Sequence, residues 1–168
     1  MTPTNDCSFH QSYYQSRKFQ DLLVAAANGD ELRVAILINL HHVDVSYKDS
    51  KGNSALHYAA DYGHLKVIIY LIEHGAHVKD RDQDGMTLLH IAARFGHMHI
   101  IHYLISKHNF ITFCFDHYKR TPFFVACMHN NLKLAQYLLT SYSIETQDFR
   151  RSYKQHRCLW SKCNLYNL

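Results

Sequence analysis

The chain has 168 residues, of which 47% are hydrophobic and 19% are charged. This length favours one domain with a sizeable core, and this composition argues against wholesale disorder. The formal net charge is +4, but five of the 18 basic residues lie after position 149, where no acidic residue occurs. Residues 1–149 contain the other 13 basic residues and all 14 acidic ones. Because these charges nearly cancel, this part of the chain gives no electrostatic case for nucleic-acid binding.

The cysteines and the apolar runs predict a cytoplasmic protein, with the nucleus as the alternative. Five cysteines without a disulfide framework fit a reducing compartment. Residues 1–14 lack the apolar core of a signal peptide, and no run approaches the roughly 20 apolar residues of a membrane span.

The chain opens with polar and aromatic residues that show no clear period, and residues 1–17 are predicted to be a loose arm. A degenerate repeat follows over residues 18–48. Its segment 22–30 aligns with residues 56–64 at an offset of 34 positions. Terminal repeats are usually atypical because they lack one neighbour.

The next two segments, residues 49–81 and 82–114, share 12 identities at an offset of 33. A fixed period of this size is typical of stacked repeat proteins. In each segment a Ser or Thr suited to capping a helix precedes a short helical stretch that ends at a glycine. A second stretch has apolar residues at three- and four-residue spacing, which predicts a helix that buries one face.

The later repeats depart from this pattern. The third repeat, 82–115, ends in the apolar run 110–115, which is predicted to pack against neighbouring loops; an exposed binding patch is the alternative. The fourth, 116–145, has Lys119 in place of glycine and Asn130-Asn131 in place of Gly-His. Residues 146–168 are predicted to be a basic, aromatic C-terminal extension.

The recurring pattern D-x-x-G-x-[ST]-x-L-H-x-A-A-x-x-G-H resembles the ankyrin repeat over residues 18–145. This resemblance implies an all-α solenoid of stacked helix–turn–helix units with short β-hairpin loops. It also implies a hydrogen bond of His57 with Ser54 and of His90 with Thr87. The structural motif residues are Ser54, His57, Thr87, His90 and Thr121.

Ankyrin proteins bind other proteins through their loop tips and the concave face of their first helices, so the resemblance implies a set of partner-binding positions. In the second repeat these are Tyr47, Ser50, Lys51, Asn53, Asp61 and Tyr62. In the third they are Arg81, Gln83, Asp84, Met86, Arg94 and Phe95. In the fourth they are Cys114, His117, Tyr118, Arg120, Met128 and His129.

Tyr62 and Phe95 occupy equivalent positions, each just before a glycine. They are predicted to lie side by side on the concave face, with Asp61 and Arg94 beside them, as a binding hot spot. The alternative is that each ring merely covers its own helix.

The predicted function is therefore a monomeric protein-binding module without enzymatic activity or a cofactor. A narrower alternative is a protein similar to short viral ankyrin proteins, which resemble NF-κB inhibitors and sequester Rel-family transcription factors. Nucleic-acid binding through Arg150, Arg151, Lys154 and Arg157 is a further alternative, and a solvated tail is favoured over it.

Catalytic and metal-binding motifs offer no competing function. The sequence contains no nucleophile elbow, phosphate-binding glycine loop or zinc-protease motif. Two histidine clusters, at 74–77 and 97–102, lack the second ligand pair that a structural zinc site needs, and His156, Cys158 and Cys163 fit only slightly better. No metal site is predicted.

Overall fold

The computed structural model describes the backbone of residues 7–108 and 114–141 and the side chains of residues 14–107 and 114–141. This part of the chain contains eight α-helices and no strand, which confirms the all-α prediction. The chain divides into two compact units, Met1–Gln83 (unit 1) and Asp84–Leu168 (unit 2). Each unit contains two helix pairs.

Unit 1 is built from two stacked helix pairs. Its helices are α1 (Cys7–Asn28), α2 (Glu31–Asn39), α3 (Ala55–Tyr62) and α4 (Leu65–Glu73). Helix α1 packs against α2 and α3, α3 packs against α4, and α2 contacts α4. The largest fully buried side chains between them are Leu22, Leu56, Ile68 and Leu71. Neither pair could bury these side chains alone, so stacking creates the core.

Unit 2 repeats this plan. Its helices are α5 (Leu88–Phe95), α6 (Met98–His108), α7 (Pro122–Met128) and α8 (Leu132–Ser141). Helix α5 packs against α6 and α7, and α7 packs against α8. Leucine and isoleucine side chains again fill the core, chiefly Leu88, Leu89, Ile100, Ile101, Leu104, Leu134 and Leu138.

The first helix of each later pair ends in a left-handed residue. Gly63 and Gly96 follow α3 and α5 with φ of 84° and 78°. At the equivalent place after α7, Asn130 adopts a φ of 60°. Asparagine tolerates this conformation better than other residues with a side chain, so the fourth repeat keeps the turn without its glycine.

Two details differ from the predictions. Residues 7–17 belong to α1 rather than to a loose arm. They contain no glycine or proline, and residues 14–17 are exposed, so this helical stretch shows no apolar period. The described loops contain no strand, so the predicted short β-hairpins are tight turns there. These turns are closed by hydrogen bonds from the Asp49 N–H to the Asn53 carbonyl at 2.9 Å and from the Asp116 N–H to the Arg120 carbonyl at 3.0 Å.

Candidate functional site

Buried histidines fix the start of the first helices. In α3, Nδ1 of His57 accepts a hydrogen bond from the backbone N–H of Ser54 at 3.1 Å. In α5, Nδ1 of His90 accepts from the backbone N–H of Thr87 at 3.2 Å, and its Nε2 donates to the Arg120 carbonyl at 2.9 Å. His90 therefore ties the start of its own helix to the next loop.

The two histidines differ in one respect. Nε2 of His57 is buried and makes no hydrogen bond of ordinary geometry with any described residue. Burial lowers the pKa of His57 below its ordinary value of 6.5. In the fourth repeat no histidine stands at this place, and Oγ1 of Thr121 accepts from the backbone N–H of Phe124 at 3.2 Å.

Side chains also join one helix pair to the next. Nε2 of His64 donates to the Ala27 carbonyl at 2.9 Å in unit 1. At the equivalent position in unit 2, the side-chain amide of Asn131 donates to the carbonyls of Ala93 and Arg94, each at 2.9 Å. Asn131 therefore satisfies carbonyls at the end of α5 that have no partner within the helix.

An aspartate organises two of the tip loops. The Asp49 carboxylate accepts from the backbone N–H groups of Lys51 and Asn53, both at 2.8 Å. Burial alone would raise the pKa of Asp49, but these hydrogen bonds and one from Tyr58 outweigh it and lower the pKa. In the equivalent loop, Asp116 accepts from the backbone N–H groups of Tyr118 at 2.9 Å and Arg120 at 2.8 Å.

Asp116 also positions a charged side chain. Its Oδ2 lies 2.6 Å from Nε of Arg120, and the Asp116 side chain is 0% exposed whereas that of Arg120 is 25% exposed. The Arg120 guanidinium lies over the Tyr118 ring, 4.6 Å from its centroid, and the Tyr118 hydroxyl donates to Asp84 at 3.4 Å. The loop thus holds Arg120 and Tyr118 in a defined arrangement.

These residues form one wall of a groove of about 260 Å³ in unit 2. We call it the unit 2 groove. The tip loops, the last turn of α5 and helix α7 supply its lining, which consists of Asp84, Met86, Arg94, Tyr118, Arg120, Val125, Met128 and His129.

Arginine charge shapes the electrostatics of the unit 2 groove. The pKa of His129 is lowered first by burial and then by the charges of Arg94 and Arg120. The imidazole of His129 is therefore mainly neutral near pH 7. The Arg94 guanidinium lies over the Phe95 ring at 5.3 Å, and no carboxylate in the described part of unit 2 forms an ion pair with it.

The structure brings together seven of the predicted partner-binding residues in this groove: Asp84, Met86, Arg94, Tyr118, Arg120, Met128 and His129. Met86 is buried, in contrast to an exposed tip residue, and forms part of the lining. Phe95 and His117 are exposed beside it, and Cys114 is half-buried, 3.6 Å from Oγ1 of Thr87. Val125 also lines the groove but was not predicted, because a buried apolar residue gives no sign of a groove position in the sequence.

The other predicted residues lie in unit 1. Tyr47, Lys51, Tyr62, Arg81 and Gln83 are exposed, whereas Asn53 and Asp61 are half-buried. The Tyr47 ring contacts Phe19 with centroids 4.5 Å apart, and the Ser50 carbonyl accepts from the Gln83 amide. Tyr62 and Phe95 are 59% and 46% exposed, but they belong to different units, and their pairing stays a prediction.

Several predictions fall outside the described residues. These are the packing of residues 110–113 and the C-terminal extension 146–168 with its cysteines and histidine. Within residues 7–108 and 114–141, the side chains that the structure describes (14–107 and 114–141) include no group of three or more His, Cys, Asp or Glu that could hold a metal ion. No helix in those ranges is long and apolar enough to cross a membrane.

Stacked helix pairs with ordered tip loops define a repeat protein, a class that presents extended binding surfaces. The family model described as "Ankyrin repeats (many copies)" matches residues 22–72 and 56–105, and the one described as "Ankyrin repeat" matches residues 118–146. Together they cover more than half of the sequence, so the chain belongs to the ankyrin-repeat family. Ankyrin repeats are generally protein–protein interaction modules and are typically not enzymes. No curated protein matches the chain significantly.

Proposed function

We propose that this chain is a non-enzymatic module that binds a partner protein through its tip loops and the exposed residues of its first helices. The observation that carries this proposal is the unit 2 groove, where predicted variable positions from two repeats meet. Tyrosine, methionine and arginine are the residue types enriched at protein interfaces.

The groove suits side chains of a protein better than a separate small molecule. Its volume of about 260 Å³ is below the roughly 300–1,000 Å³ of small-molecule sites. Tyr118 is 62% exposed and Met128 is 49% exposed, so neither side chain is needed to fill the core of unit 2. A partner that covered them would remove apolar surface from water.

Mutation of the groove tests this proposal. A pull-down with the full chain, followed by mass spectrometry, supplies candidate partners, and the affinity of each purified candidate is then measured. Tyr118→Ala with Met128→Ala should weaken binding by at least about 2 kcal/mol, while the free energy of unfolding changes by less than about 1 kcal/mol. The matched control is Leu132→Ala, an exposed apolar residue on α8 outside the groove.

The opposite result would contradict the proposal: a large loss of stability with unchanged affinity would assign these side chains to the fold. If every candidate bound the groove variant and the Leu132→Ala control equally well, the groove would not be the binding surface.

The narrower proposals have their own tests. Sequestration of Rel-family factors is supported only by membership of the ankyrin-repeat family, and it requires capture of a Rel-homology dimer over an unrelated dimer. Binding of nucleic acid by the tail requires that deletion of residues 149–168 abolishes a salt-sensitive affinity for RNA or DNA. A reducing compartment, the cytoplasm or the nucleus, is the proposed site of action, and the five cysteines without a disulfide framework in the sequence support it.

A further inference from the structure

The two arginines of the unit 2 groove belong to different elements and line the same space. Arg94 stands in the last turn of α5, and Arg120 stands in the tip loop that precedes α7. Both act on His129, because the charges of both lower its pKa. The groove therefore holds two guanidinium groups around a largely neutral imidazole.

Arg120 is already oriented before any partner arrives. Oδ2 of Asp116 lies 2.6 Å from Nε of Arg120, and the Arg120 guanidinium lies over the Tyr118 ring. A guanidinium carries five N–H donors, so the contact with Asp116 leaves terminal N–H groups to bind a second carboxylate. Because the side chain is held in place, binding costs less conformational entropy than for a free arginine.

Arg94 has no ion pair in the described part of unit 2, and its guanidinium rests on the Phe95 ring. Two nearby positive charges repel each other, and a negative group placed between them would be attracted by both. A carboxylate also forms charge-assisted hydrogen bonds with arginine, which are stronger than neutral ones.

The remaining lining limits how much negative charge the groove accepts. Asp84 lies in the groove and Asp116 lies behind Arg120, so two carboxylates offset the two arginines. A phosphate backbone would gain little from such a balanced surface, because its affinity depends on many uncompensated cations. A single carboxylate between Arg94 and Arg120 carries one charge and does not need many uncompensated cations, because charge-assisted hydrogen bonds to the two guanidinium groups bind it.

Apolar residues complete the groove. Met86, Val125 and Met128 lie beside the arginines, and Met128 is half exposed. Methionine adapts its shape to a neighbouring apolar group. The groove therefore offers an anion site next to an adaptable apolar surface.

We propose that the unit 2 groove binds an extended acidic segment of a partner protein, with one Asp or Glu carboxylate between Arg94 and Arg120 and a large apolar side chain against Met128. This inference rests on the proposed protein-binding function and adds the chemistry of the segment that is bound.

Peptide selection followed by a double-mutant cycle tests it. Random 12-residue peptides on phage are selected against the full chain, and the enriched sequences are synthesised. We expect an Asp or Glu next to a large apolar residue, and replacement of that acid by Asn or Gln should weaken binding by about tenfold or more. The same replacement should have little effect on binding to Arg94→Gln, because the pair has already been broken. Lys133→Gln, an exposed charge change on α8 outside the groove, is the control and should bind like the original chain.

The other outcomes separate the two proposals. Peptides that depend on Tyr118 and Met128 but need no acid would overturn the carboxylate site and leave the protein-binding function standing. Failure to enrich any peptide, or enrichment only of peptides that are insensitive to all groove substitutions, would contradict both. A 15-nucleotide poly(U) RNA could displace the peptide from the original chain but fail to displace it from Arg94→Gln. That result would show that the site serves nucleic acid and would also overturn the inference.

Discussion

Replacement of His90 by alanine should destabilise the chain because it removes the group that joins a helix start to the next loop. His90 is 0% exposed and Thr87 is 3% exposed, so the Thr87 N–H would lose its partner at a site away from bulk solvent. An unsatisfied buried donor costs about 1–3 kcal/mol, and the lost packing of the ring adds to it, so we expect a loss of about 2–4 kcal/mol. The Arg120 carbonyl adds less, since it still accepts from the backbone N–H of Asp116 at 3.0 Å.

Urea unfolding followed by far-ultraviolet circular dichroism measures this loss, and His57→Ala is the matched comparison. His57 makes the same Nδ1 contacts with Ser54 but no equivalent Nε2 bond in the described structure. Its replacement should therefore cost less than that of His90 by about 0.5–1.5 kcal/mol, the value of one hydrogen bond. An unchanged unfolding midpoint in His90→Ala would refute this role of the histidine.

Three further predictions concern other residues. Because the pKa of His57 is lowered in the folded chain, its neutral form stabilises the fold above about pH 6.5 and this stability is lost as the pH falls. Urea unfolding at about pH 7.5 and about pH 5.5 should show this loss, and a loss of the same size in His57→Gln would contradict the assignment. Lys119 has a φ of +58°, so Lys119→Gly should raise the free energy of unfolding by about 0.5–1 kcal/mol. Asn130→Gly should change the free energy of unfolding less. A lower unfolding midpoint in Lys119→Gly would show that the backbone at Lys119 is not strained. Tyr62→Ala with Phe95→Ala should weaken partner binding by at least about 2 kcal/mol and change stability by less than about 1 kcal/mol, and the reverse pattern, measured on the same protein, would place both rings in the core.

The repeat period made most of the fold predictable. The hydroxyl caps, the glycines and the apolar spacing each have a local cause, so the start of α3 and the end of α5 follow from the sequence. The first turns of α1 were missed because residues 7–17 show no apolar period in the sequence. Lys119 and Asn130 gave no sign that the left-handed turns persist without glycine.

Part of the candidate site was predictable from the positions of residues in the repeat motif. Motif position identifies variable residues, and seven of them line the unit 2 groove. Motif position does not show that Asp116 is buried against Arg120, or that Arg94 and Arg120 act on the same histidine. The burial of Asp116 and the approach of Arg94 and Arg120 to one histidine depend on the packing of the folded chain, so the proposed carboxylate site could be inferred only from the structure.

Hydrogen–deuterium exchange of the full chain, measured with and without a selected groove-binding peptide, tests the binding surface most directly. If the partner binds at the unit 2 groove, the tip loop and the end of α7 should exchange more slowly. In the tip loop this applies to the backbone amides of Tyr118 and Arg120, which donate hydrogen bonds to the Asp116 carboxylate. The amides of α8 should change less, because none of its residues lines the groove. Protection confined to α8 or to residues 142–168, with the tip loop unchanged, would contradict a partner site in the unit 2 groove.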